Sequence, residues 1–141
     1  MSGFAESLKT TLAGYARYRG REGHYSFLLH RITGLGTLLF LIIHILDTSL
    51  AYFRPEWYQH AINLYTQWYF MVQEIILVFC VIYHGVNGLR IAYVDLLKPA
   101  AWNIPAQRKA ARWTLWISVA LWLPAAGIMG YRMLQHSLGW I

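Results

Sequence analysis

The sequence predicts an all-α integral membrane protein built on three transmembrane helices, and three observations predict it. Hydrophobic residues make up 57% of the 141 and charged residues 13%, whereas a soluble domain carries about 25% charged residues. The apolar residues gather into three runs, 27–53, 70–97 and 113–134, each reaching the roughly 20 residues a helix needs to cross a bilayer. Seven Trp and ten Tyr belong to the types that collect where membrane meets water. The length suits a single membrane-anchor domain, 1–141.

Residues 1–25 precede the first run and lack a compact apolar core followed by a small-residue cleavage site, so no cleavable signal peptide is expected there. Their stretch FAESLKTTLAGYARY suits an amphipathic helix, lying on the membrane surface or docked on a soluble partner. The first span centres on LGTLLFLIIHIL. The connector RPEWYQHAINLYTQ reads as a short interfacial helix, since Pro55 fits a helix start and Trp57, Tyr58, Tyr65 and Trp68 suit the headgroup region. The second span centres on IILVFCVIYHGV. The third, LWISVALWLPAAGIM, contains Pro124, which removes one backbone hydrogen bond; a kink is expected there rather than a break. The segment around His136 and Trp140 is expected at the interface beyond it.

Lysine and arginine give the direction. Lys9, Arg17, Arg19, Arg21 and Arg31 precede or open the first span, and Arg90, Lys98, Arg108, Lys109 and Arg112 lie between the cores of the second and third. Only Arg54 and Arg132 lie on the other side. The positive-inside rule then puts the N-terminus in the cytoplasm, or a mitochondrial matrix, and the C-terminus opposite. The net charge of +6 does not imply nucleic-acid binding, because the charges are dispersed between apolar runs rather than gathered on one face. Cys80, the single cysteine, lies inside a run, so neither an intrachain disulfide nor a cysteine-based metal motif is available.

Ionisable residues within spans are costly and are functional candidates. Here they are His30, Arg31, His44, Asp47, Glu74, His84, Arg90 and Asp95. His84 lies 11 residues before Asp95, roughly 16 Å from the membrane edge along a helix. An imidazole so deep needs a partner, either a neighbouring helix or a metal. Gly88 follows one turn later and Gly85 is adjacent; such small residues admit a flat macrocycle beside an axial ligand, or equally a closely packed helix. Burial keeps the imidazole neutral and able to coordinate. His30 and Arg31 open the first span, as a snorkelling charge at a helix end or as an anion clamp whose guanidinium supplies fixed donors. Ser26 lies one turn before His30 and offers a hydroxyl at that depth. Asp95 is on the His84 face of its helix and Arg90 is not; both also read as plain interfacial charges, paired with each other or with another subunit. His44 shares the His30 face, roughly 21 Å deeper. It reads as a ligand for a second haem, a polar group of an outer quinone pocket, or a buried histidine bonded near Asp47 or Thr48.

HRITG at 30–34, then YHGVNGLR at 83–90 and Asp95, resemble the cytochrome b large membrane-anchor subunit of succinate dehydrogenases (succinate:quinone oxidoreductases). That family opens its first helix with Ser and His-Arg-x-Ser/Thr-Gly, and carries His-x-x-x-Gly-x-Arg and a later Asp on its second. The resemblance implies that the chain belongs to a hetero-oligomeric helix bundle. It implies haem b with His84 as an axial ligand to the iron, the other ligand coming from a second, small anchor subunit. Arg31 corresponds to a residue shared by the haem propionates and the quinone, His30 to a propionate contact, Ser26 to a quinone-pocket serine, and Gly88 to a residue packed on the haem. Asp95 falls in the vicinity of the quinone site. Two positions depart from the pattern: Ser26 is one residue further from the His-Arg pair than in some members, and Ile91 stands where many carry histidine.

The resemblance further implies electron relay in a bacterial plasma or mitochondrial inner membrane. Succinate is oxidised on a flavoprotein subunit, and electrons pass through an iron–sulfur subunit to ubiquinone or menaquinone. This chain, without a dinucleotide fingerprint or cluster-binding cysteines, is expected to have no independent catalysis. Two alternatives remain beside this one: a non-catalytic membrane scaffold, and the anchor of a related fumarate reductase running the chemistry in reverse.

Overall fold

A computed structural model describes residues 2–17 and 21–137; the basic residue Arg19 and the interfacial Trp140 lie outside the described residues. The described chain is all-helical: α1 Ser2–Arg17, α2 Glu22–Phe53, α3 Pro55–Tyr65, α4 Trp68–Leu97 and α5 Ile104–Ser137, with a single 3-10 turn at Pro99–Ala101. Three of these, α2, α4 and α5, are long and apolar enough to cross a membrane. At ~1.5 Å per residue, the 34 residues of α5 reach about 51 Å, well beyond a hydrocarbon core of roughly 30 Å. Its first turns therefore project past the apolar layer, as do those of α2.

Both early starts have local causes. The Asn103 side chain accepts the Ala106 amide at 2.9 Å, satisfying an N-terminal donor that the helix leaves unpaired, and Pro105 sits in the first turn where its missing N–H costs nothing. α5 thus begins nine residues ahead of the apolar run. α2 begins at Glu22, in a polar turn that Arg108 of α5 holds through two hydrogen bonds, at 2.8 and 3.2 Å. Pro55 starts α3 in the same way as Pro105 starts α5. α5 runs on through Pro124 as one helix.

The packing is that of a chain dissolved in lipid. Leu35, Leu38, Leu39, Ile45, Leu89 and Leu121 are all exposed, which water would penalise and hydrocarbon does not. Among the described residues the buried hydrophobics are Tyr83, Val94 and Ala111 alone, while Ser26, Thr33, Asn87, Thr114 and Ser118 are buried with them. Small and polar residues inside are what membrane helices use to approach closely. Some of these hydroxyls bond within their own helix, Thr33 to the Leu29 carbonyl at 2.7 Å and Ser118 to that of Thr114 at 2.8 Å. α4 is the central helix, packed on α5 and on α2, and α3 folds back on α2. The Trp122 indole donates to the Ile75 carbonyl at 2.9 Å, tying α5 to α4.

Candidate functional site

α2 and α4 run antiparallel, so residues early in one meet residues late in the other. The rings of His30 and His84 stack with centroids 4.1 Å apart and planes 2° from parallel. The His84 Nδ1 lies 3.1 Å from the His30 carbonyl oxygen. A carbonyl only accepts, so Nδ1 is the donor; the neutral imidazole with its proton there has its lone pair on Nε2. Gly34 lies against Cε1 and Nδ1 of the His84 ring: a Cβ there would stand 2.7 Å from Cε1 and 3.0 Å from Nδ1. The ring thus packs on an imidazole through its face and on a bare stretch of backbone at those two atoms. Gly88 faces His30 rather than His84, a Cβ on it lying 3.9 Å from His30 Cε1.

One turn away, toward the end where α2 begins, three buried side chains join the helices. The Tyr83 hydroxyl donates to Ser26 Oγ at 3.2 Å, and Ser26 Oγ donates to Asn87 Oδ1 at 3.2 Å. Three polar atoms close by are buried without a hydrogen-bond partner among the described residues: His30 Nδ1, Asn87 Nδ2 and Arg90 Nε. Buried polar atoms are nearly always paired, so such atoms ask for a partner from outside. Beside this layer, a hollow of about 240 Å³ opens between α2, α4 and α5, lined by Ser26, Tyr83, Glu22 and Arg112 among others.

The other candidates fall apart from this layer. Arg31 is exposed, its guanidinium 5.2 Å from the Phe27 ring centroid. Asp95 accepts the Trp102 indole N–H at 3.1 Å, and among the described residues the one ion pair is Arg108 with Glu22, so Asp95 and Arg90 are not bridged. His44 is exposed, stacked on Phe40 at 5.3 Å, and lines a groove of about 510 Å³ with Asp47, Tyr65 and Glu74. There the Tyr65 hydroxyl donates to the Asp47 carboxylate. That bond stabilises the neutral phenol and, with burial, pushes the Tyr65 pKa up to about 12.

Tyr83, Asn87 and Gly34 are not candidates by sequence alone, although all three lie inside or beside the motifs that carry the candidates. A signal exists for Asn87: an amide in the middle of an apolar span is costly unless paired. No cluster of three or more His, Cys, Asp or Glu side chains able to hold a bare metal ion occurs among the described residues.

Residues 10–125 match the family described as Succinate dehydrogenase/Fumarate reductase transmembrane subunit. The chain is also 28% identical over 120 residues to a Mycobacterium tuberculosis (strain ATCC 25618 / H37Rv) protein named Succinate dehydrogenase 2 membrane subunit SdhC, a match covering 84% of this chain and 85% of that one. With three apolar helices spanning the same stretch, the protein is a multi-pass membrane anchor and belongs to the succinate dehydrogenase/fumarate reductase transmembrane subunit family.

Proposed function

We propose that this anchor is a cytochrome b: it holds haem b through His84 Nε2 and lines part of the site where quinone is reduced with electrons from succinate. The observation that supports this reading most is the contact between His84 Nδ1 and the His30 carbonyl. Its Nδ1 proton is engaged by a backbone carbonyl at 3.1 Å, the arrangement that aims the remaining lone pair outward and makes the imidazole a better ligand. A haem asks each protein helix for one axial ligand, so the lack of a three-residue metal cluster does not bear on it.

The other residues suit the same group. A haem brings two carboxylates, and the unpartnered Arg90 Nε and His30 Nδ1 are buried nitrogens of the kind that receive them. Bound there, haem supplies one-electron transfer. The chain's own contribution is to fix the imidazole, exclude water and neutralise the acidic edge. The second axial ligand comes from a small anchor subunit, and an iron–sulfur and a flavoprotein subunit complete the complex at the end where α2 begins, which faces the cytoplasm or matrix. Arg31, exposed at the level of His30, donates to a quinone oxygen. Ser26 borders the adjacent hollow, its hydroxyl proton held by Asn87.

Reduced-minus-oxidised spectra of the purified complex test the proposal. A b-type band is expected in the wild type and is expected to vanish in His84→Ala. A complex with no such band, or one whose band survives that substitution unaltered, is instead a scaffold whose histidines only pack.

A further inference from the structure

We infer that Asn87 and Tyr83 are positioning residues for the His84 ligand, acting through Ser26; the inference rests on the haem reading above. The three side chains form one directed chain, Tyr83 O–H to Ser26 Oγ and Ser26 O–H to Asn87 Oδ1, each at 3.2 Å. It is buried: Tyr83 and Asn87 are 1% exposed and Ser26 5%. Shut between the helices, these bonds hold one arrangement of α2 on α4.

The geometry fixes what they set. Ser26 lies one turn before His30 on α2, while Tyr83 and Asn87 flank His84 on α4. The lock therefore joins the two helices within one turn of the place where the His30 carbonyl meets His84 Nδ1. Advancing one residue along a helix moves a group ~1.5 Å and turns it by about 100°, whereas an N–H···O bond is lost within a few tenths of an ångström beyond roughly 3.2 Å. The Nδ1 bond, at 3.1 Å, is already near that limit. Moving the ring instead meets resistance, because Gly34 lies against its Cε1 and Nδ1 atoms and the His30 ring is stacked on its face. The register of α2 on α4 is therefore the variable that decides whether His84 presents Nε2 squarely, and the Tyr83–Ser26–Asn87 chain sets that register. It follows too that Ser26 has committed its only proton and serves the site as a link between helices.

The Nδ1 bond raises the basicity of the coordinating nitrogen, and a more basic ligand favours the oxidised iron. Loosening it raises the haem potential. The test is redox titration and low-temperature electron paramagnetic resonance on the intact purified complex carrying Asn87→Leu, Tyr83→Phe, or both. The expected result is haem retained, a midpoint potential shifted upward, and an altered low-spin signal in each single variant. The double variant is expected to shift no further than the larger single one, because both cut the same chain. Asn87→Asp, which keeps an acceptor for Ser26, is expected to restore the signal. If Asn87→Leu fails to assemble, Tyr83→Phe, which loses only one oxygen, carries the test alone. Potential and signal equal to wild type in an assembled variant overturn the inference while leaving the haem assignment intact, provided His84→Ala still abolishes the band. A wild-type complex without haem overturns both.

Discussion

Adding one methyl group at position 34 is a sharp probe of the site, because the space it would enter is already occupied by the His84 ring. In Gly34→Ala the new Cβ arrives 2.7 Å from His84 Cε1 and 3.0 Å from Nδ1. Non-bonded carbons settle at about 3.5–4.0 Å, so the imidazole must withdraw by roughly 1 Å. It cannot shift without loss: the His30 ring is stacked on its face at 4.1 Å, and its Nδ1 bond to the His30 carbonyl is 3.1 Å long. Forcing a methyl into a packed site costs about 1–3 kcal/mol. If that strain falls on the ligand, haem is held roughly 5- to 150-fold less tightly. Haem transfer from the purified complex to excess apomyoglobin reads this directly, with a faster loss expected in Gly34→Ala and a normal rate in Gly36→Ala, whose Cβ would meet Cys80 Sγ at an ordinary 3.4 Å. Transfer at the wild-type rate in Gly34→Ala would show that the ring is free to move away from residue 34.

Other consequences concern the two ends of the bundle. Arg31→Ala is expected to lower quinone reduction by the complex well below its succinate oxidation with an artificial acceptor; equal loss of both would mean failed assembly rather than a lost quinone contact. Tyr65, whose phenol is held neutral by Asp47 with a pKa of about 12, is expected to titrate back toward the ordinary tyrosine value of about 10 in Asp47→Asn. Because the folded pKa lies above the unfolded one, the bond's contribution to stability is fully present below pH ~10 and is lost as pH rises toward about 12. Carbon-13 spectra of ring-labelled tyrosine, assigned with Tyr65→Phe, would follow it. A titration in Asp47→Asn identical to wild type would remove the carboxylate as the cause.

Much of the fold is legible in the sequence because lipid writes it in simple terms: long apolar runs, basic loops and Pro55 at a helix start leave few alternatives. The extra turns of α2 and α5 are less so, since Glu22–Ser26 and Ile104–Arg112 are too polar to count as span. Only the Asn103–Ile104–Pro105 string, a capping residue ahead of proline, announces the second. His84 and His30 are readable singly, as costly polar groups at membrane depth. Their stacking is not, because helical periodicity fixes azimuth within α2 or α4 and says nothing of the register between them. That register rests on Tyr83, Ser26 and Asn87, whose bonds cross 57 and 61 residues of sequence. For the same reason the pairing of Asp95 with Arg90 gives way to Trp102, which the 3-10 turn carries back beneath α4.

The central claim concerns one nitrogen. An experimental density map of the assembled complex, at a resolution that separates ring from side chain, is expected to show porphyrin iron coordinated by His84 Nε2, with Nδ1 still turned to the His30 carbonyl. A map in which that Nε2 touches only protein or lipid would contradict the account.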